Sequence, residues 1–152
     1  MNRLSKLIVL LLPIAFFACK KTAVDQAKID REIIQKYIRD NSLVADSTAS
    51  GLYYVIADSG VGANPSATSV VLVYYTGKLT TGVQFDANEP GRPLDFSLQG
   101  VIKGWQEGIP LIKKGGKIKL LIPSALGYGA TATGSIPANS VLIFDIKLDN
   151  FR

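Results

Sequence analysis

The sequence has no histidine and a single cysteine, Cys19. The first absence removes the usual general base of neutral pH and the commonest metal ligand. The second removes any intrachain disulfide and any cysteine-based metal cluster. A serine nucleophile would have no imidazole to activate it. There is no GxxxxGK[ST] stretch, and no GxGxxG follows a strand pattern, so nothing marks a phosphate-cradling loop. Asp86 and Glu107 stand in no setting that marks a carboxylate pair. Charged residues make up only 19%, and tryptophan occurs once, as Trp105. Chemistry in this chain must therefore come from shape, burial and hydrogen bonds, and no cofactor or metal is implied.

What is present begins with a readable N-terminus. Arg3 and Lys6 precede an uncharged, mostly apolar run, LIVLLLPIAFFA at 7–18. A membrane-spanning helix needs about 20 apolar residues, so this run is too short and suits the h-region of a secretory signal. Pro13 also opposes a continuous helix, and Ala18 places a small residue just before Cys19. The arrangement resembles a bacterial lipoprotein signal, with Phe16 where that pattern usually has leucine. The resemblance implies a lipidated Cys19 and an exported chain held in the cell envelope, on an outer membrane or periplasmic face. Lys20 is not the aspartate often linked to inner-membrane retention. A plain signal peptide with a chance cysteine, or an uncleaved anchor, is the alternative. Processing would lower the 17 basic residues by two against 12 acidic ones, a net charge of about +3. That balance does not call for nucleic acid. The lysines near 113–119 alternate with glycines and aliphatics and read as a solvated face.

The remaining 134 or so residues hold one compact domain, for which 47% hydrophobic residues supply a core. Residues 25–40 have helical periodicity: Ile29, Ile33 and Tyr37 fall four apart, with Ile34 and Ile38 beside them. Asp25 is the expected N-cap and Asn41 the expected stop. Residues 41–50 are small and polar and read as a linker. From Gly51 onward the pattern becomes strands: GLYYVIAD, VVLVYY, LDFSL, KIKLLI and VLIFDIKLDNF, separated by glycine- and proline-rich turns. Ile118, Leu120 and Ile122 alternate with Lys117 and Lys119, and Leu142, Phe144, Ile146 and Leu148 alternate with Asp145, Lys147 and Asp149. One further short helix is expected at 102–109, stopped by Pro110. These elements predict an α+β fold: an antiparallel sheet with one short helix against it, preceded by an N-terminal helix.

Five stretches in order carry a family resemblance. They are VYYTGKLTTGVQFD (73–86), PLDFSL (93–98), GVIKGWQEGI (100–109), GGKIKLLIPSALGYGA (115–130) and IPANSVLIFDIKL (136–148). Together they resemble the FKBP-type peptidyl-prolyl cis–trans isomerases over about residues 50–152. The resemblance implies a half-barrel sheet wrapped around the short helix, with an aromatic-lined pocket between them. It divides the chain into a signal at 1–18, a tether, helix and linker at 19–50, and an isomerase domain at 51–152. As catalytic positions it implies Tyr75, Phe85, Asp86, Ile102, Trp105, Tyr128 and Phe144. Val101, Leu94, Phe96 and Ile136 follow as substrate-binding positions. Leu94 stands where many members have an aromatic, the loop at 129–139 is slightly short, Ala138 replaces a frequent second proline, and Tyr74 replaces a common histidine.

Taken singly, Trp105, Phe144, Tyr75 and Phe85 are ordinary core residues, and Val101 and Ile102 would be core in any fold. Tyr128, flanked by Gly127 and Gly129, is better suited to projecting from a loop. The partners implied are proline-containing polypeptide clients, macrolide-type pocket inhibitors and, through Cys19, a membrane. The expected state is a monomer, although helix 25–40 leaves packing on its own sheet, spacing from a membrane and dimerisation all open. A non-catalytic module that docks proline segments in the same pocket is the rival function.

Overall fold

The computed structural model describes residues 23–152. Cys19 and the apolar run before it lie outside the described residues. The chain opens with α1 (Ala23–Asp40), followed by β1 (Asp46–Ser47), β2 (Tyr53–Asp58), β3 (Val70–Leu79), β4 (Gln84–Ala87) and β5 (Leu94–Ser97). A short helix α2 (Lys103–Gly108) then leads to β6 (Lys117–Ile122) and β7 (Leu142–Phe151). The strands form one sheet in the order β1-β2-β6-β7-β3-β4, with β5 also pairing β3. Every pairing is antiparallel. This is the antiparallel sheet with one short helix that the pattern predicts. The four-residue β4 and the two-residue β1 are additions, too short to show an alternation of their own.

The inner face of the sheet carries the main core. Val71, Val73, Ile118, Leu120, Ile122, Leu142, Phe144, Ile146 and Leu148 close over α2 together with Trp105 and Ile109. At α2 the backbone itself reaches the sheet. A Cβ built on Gly104 would lie 2.6 Å from Ile122, and one on Gly108 would lie 2.5 Å from Leu120. Helix axes usually stand off by the length of their side chains, so two glycines on one face allow the close approach. Trp105 is thereby held against the inner face of the sheet.

The outer face carries a second, smaller core of Ile34, Leu121, Val141 and Ile143, with Tyr37, Ile38, Leu43 and Tyr53 packed around it. Helix α1 thus lies on its own sheet, one of the three arrangements its sequence leaves open. Its buried seam is rotated from the one expected. Ile33 is 36% exposed and Ile29 only partly covered, whereas Asp30 and Ile34 are fully buried. The reason is polar: Asp30 finds donors on the sheet side, which an isoleucine could not use. The expected N-cap also shifts, because the helix begins at Ala23 and Asp25 falls in its first turn. The stop is as expected. Asn41 donates from Nδ2 and from its backbone N–H to the Tyr37 carbonyl, and Ser42 adopts φ 52°. Among the described residues no helix is long and apolar enough to cross a membrane.

Candidate active site

Strand β3 positions the first ring. Along one edge it pairs with β5 at Val70–Val73 and with β4 at Thr76–Lys78. Tyr75 falls in the break between them, and Asn88 fills that break. The Tyr75 N–H donates to Asn88 Oδ1 at 2.7 Å, and the Asn88 N–H donates to the Tyr75 carbonyl at 3.4 Å. Asn88 Nδ2 donates to the carbonyls of Arg92 and Val73. A backbone gap is thus satisfied by one side chain, and the Tyr75 ring is aimed inward.

Trp105 lies at the bottom of the hollow, 4% exposed. Three rings meet it edge-on: Tyr75 at 5.2 Å, Phe144 at 5.2 Å and Phe96 at 5.4 Å between centroids, with interplanar angles of 80–83°. Tyr75 and Phe96 also meet edge-on at 5.7 Å. Phe85 stacks edge-on behind Phe144 at 5.5 Å. Gly77 makes room for these two, since a Cβ there would strike both rings within 2.7 Å. Edge-to-face pairs add about 0.5–1.5 kcal/mol each beyond their burial, so the cluster is stiff. Such rings do not interdigitate as aliphatic chains do. They leave a cavity of about 260 Å³ lined by Tyr75, Asp86, Phe96, Val101, Ile102, Trp105, Tyr128 and Phe144.

Polar groups converge on this hollow sparingly. The Tyr75 hydroxyl donates to Asp86 Oδ2 at 2.9 Å. Burial first, then this bond and the neighbouring charge of Asp86, push the Tyr75 pKa up to about 12. The ring therefore stays neutral, a hydrogen-bond donor locked onto Asp86. Tyr128 stands at the rim, 40% exposed. Trp105 and Gln106 donate their backbone N–H groups to the Ile102 carbonyl, which starts α2, and the Gln106 side chain donates to the Val101 carbonyl. The Ile102 N–H takes part in none of these bonds. The Trp105 Nε1–H is buried without a hydrogen-bond partner among the described residues. Such a group costs about 1–3 kcal/mol. A wider groove of about 500 Å³ crosses the outer face of the sheet, where Lys119 pairs with Asp145 and Lys147 lies over Tyr74. Only two of its lining residues are aromatic, Tyr74 and Tyr75, against five in the smaller inner hollow, which is therefore the better candidate.

The family model described as FKBP-type peptidyl-prolyl cis-trans isomerase matches residues 62–149. The chain belongs to this family. An FKBP-type peptidyl-prolyl cis-trans isomerase FkpA of Aeromonas hydrophila is 40% identical over 141 residues, covering 87% of this chain and 53% of that protein. The crystal structure of FkpA from Escherichia coli superposes with a TM-score of 0.75 at 40% identity, over 86% of this chain and 61% of that one. A peptidyl-prolyl cis-trans isomerase from Pseudomonas syringae pv. tomato gives 0.73 at 29% identity, over 86% and 96%. The chain spans about half the length of the curated relatives it matches.

Eight of the eleven positions that the sequence resemblance implies thus surround one hollow. The other three do not line it. Phe85 backs Phe144, Ile136 is 6% exposed within the core, and Leu94 is 45% exposed on the strand that carries Phe96. Sequence reasoning missed Asn88 and Gly77. The asparagine in the ANEPGRP turn was the available signal, since Asn side chains commonly satisfy backbone groups near turns.

Proposed function

We propose that this chain is a peptidyl-prolyl cis–trans isomerase acting on X–Pro bonds of exported polypeptides. The observation that supports it most is the 260 Å³ hollow walled by edge-on rings over Trp105, within a chain of the FKBP-type family. The X–Pro bond turns slowly because amide resonance opposes rotation by roughly 18–20 kcal/mol, and uncatalysed exchange takes tens of seconds or more. Water favours the planar, dipolar amide. The twisted transition state is less dipolar, so a dry niche disfavours the ground state more than the transition state. No titrating group is required.

Each side chain then has a role. Trp105 floors the prolyl ring, and Tyr75, Val101, Phe96 and Phe144 wall it. Phe85 and Ile136 support those walls from behind, and Leu94 widens the rim toward the residues flanking proline. Asp86 fixes the Tyr75 hydroxyl and keeps it from competing for substrate oxygens. The Ile102 N–H and the Tyr128 hydroxyl hold substrate carbonyls, and a macrolide-type inhibitor would use the same two donors. Residues 51–152 form the isomerase domain, 19–50 the tether and brace, and 1–18 a cleaved signal. Lipidated Cys19 holds a monomer at the envelope.

The test is protease-coupled isomerisation of an X–Pro peptide. A first-order rate that rises linearly with protein concentration and falls with a macrolide pocket ligand is expected. Background turnover with the ligand still bound would make the chain a docking module instead. For the anchor, Cys19→Ser should move the chain from the membrane fraction to the soluble one, and continued membrane association would refute lipidation at that residue.

A further inference from the structure

The fully buried Asp30 has no part in the niche and lies 94 residues from its partner in the chain. Its Oδ2 accepts from the Ser124 N–H at 2.8 Å and from the Ser124 hydroxyl at 2.6 Å, while Oδ1 accepts from Gln26 Nε2 at 2.7 Å. Ser124 is itself 2% exposed and opens the 3-10 turn Ser124–Leu126 that follows β6. Its carbonyl accepts from the N–H groups of Gly127 and Gly129, at 3.0 and 2.8 Å. Those two residues flank Tyr128, and the Gly129 carbonyl in turn accepts from the Asn139 N–H at 2.7 Å, closing the base of the loop. One residue, Ser124, thus joins two things: its backbone and hydroxyl donors are held by α1, and its carbonyl holds the residues on both sides of Tyr128.

From this chain of bonds we propose that Asp30 is a positioning residue for Tyr128, so that helix α1 is a working part of the isomerase site. The inference rests on the isomerase reading above. A glycine on each side leaves the Tyr128 arm with little stiffness of its own. Its direction must come from tertiary hydrogen bonds, and the buried ones at Ser124 do not exchange with water. Ile34, one turn further along α1, packs on Leu121, Val141 and Ile143, which keeps the carboxylate in place. Removing the Asp30 side chain frees both Ser124 donors and lets the Ser124–Gly129 turn relax, moving the Tyr128 hydroxyl at the rim of the hollow.

The experiment is a double-mutant cycle on the full chain. Asp30→Ala should lower kcat/KM for an X–Pro peptide by about three- to tenfold in the parent, yet by less than about twofold in a Tyr128→Phe background. Asp30→Asn, which keeps an acceptor oxygen facing Ser124, should restore most of the rate. Equal losses in both backgrounds, or no loss in either, would overturn the proposal, because a general loss of structure does not depend on the Tyr128 hydroxyl. Should Asp30→Ala fail to fold, Ser124→Ala removes the hydroxyl bond alone and should show the same dependence on background at smaller size. Amide exchange at Gly127 and Gly129 supplies a readout without turnover. A parent with no isomerase activity would refute the function, whereas unchanged exchange at those amides in Asp30→Ala would refute the positioning role itself.

Discussion

The two faces of strands β6 and β7 bury side chains in opposite ways. On the inner face flat rings meet edge-on over Trp105, and a hollow remains. On the outer face Ile34, Leu121, Val141 and Ile143 interlock, and the polar group among them, Asp30, has three hydrogen bonds. The inner face tolerates an unsatisfied indole N–H, while the outer face leaves its buried carboxylate no unsatisfied oxygen. Aliphatic chains branch and fill volume in three directions, so they pack to the density of an organic solid. Rings held edge-on by their quadrupoles keep their distance. The outer face is therefore filled, whereas the inner face, which also carries the main core, keeps a hollow where Phe144 of β7 meets rings from β3, β5 and α2.

That contrast breaks most readily at Leu121. Leu121→Ala should cost about 2–5 kcal/mol of unfolding free energy, as truncations of fully buried leucines do. Denaturant titration reads that loss, and kcat/KM of the folded protein should fall by less than in Asp30→Ala, because the Asp30–Ser124 hydrogen bonds remain. A fall in turnover as large as that of Asp30→Ala would show that the apolar packing of α1, and not its buried carboxylate, links the two faces. Trp105→Leu should behave in the reverse sense. Losing the floor should cost tenfold or more in kcat/KM, about 1.4 kcal/mol of transition-state stabilisation, with a smaller change in the denaturant midpoint. A chain that loses stability and keeps its rate would make Trp105 purely structural.

A finer test uses pH. The folded Tyr75 pKa lies near 12 against an ordinary value of 10.0. The folded state therefore holds that proton more tightly than the unfolded state does. Its contribution to stability is complete below pH 10 and is lost as pH rises through 12. Tyr75→Phe removes this dependence. The stability gap between parent and variant should narrow between pH 10 and 12, as followed by Trp105 fluorescence in urea at each pH. A constant gap across that range would mean that the Tyr75 hydroxyl is not held as the Asp86 bond indicates.

Much of this was legible in the residues. Alternation in KIKLLI and VLIFDIKLDNF marks strands with a dry inner side, and the register of β6 and β7 carries it through: Ile118 faces Ile146 and Leu120 faces Phe144. The five family stretches point to the rings of the niche, and eight of the eleven positions they mark line one cavity. The α1 seam was misread because hydrophobic period alone puts Ile29 and Ile33 inward and an aspartate outward. Leu121 has the same parity as Lys117 and Lys119, so alternation places it in water, yet α1 covers it completely.

The sequence by itself determined where the five longer strands and the short helix lie, and that no imidazole is available, because periodicity and composition are local properties. The tertiary structure alone decided that Asp30 is buried, that Asn88 closes the break beside Tyr75, and that the rings stop short of filling the space above Trp105. Each of those depends on groups brought together from distant parts of the chain. The satisfaction of a hydrogen bond and the closure of a cavity are properties of such meetings, and no run of neighbouring residues encodes them.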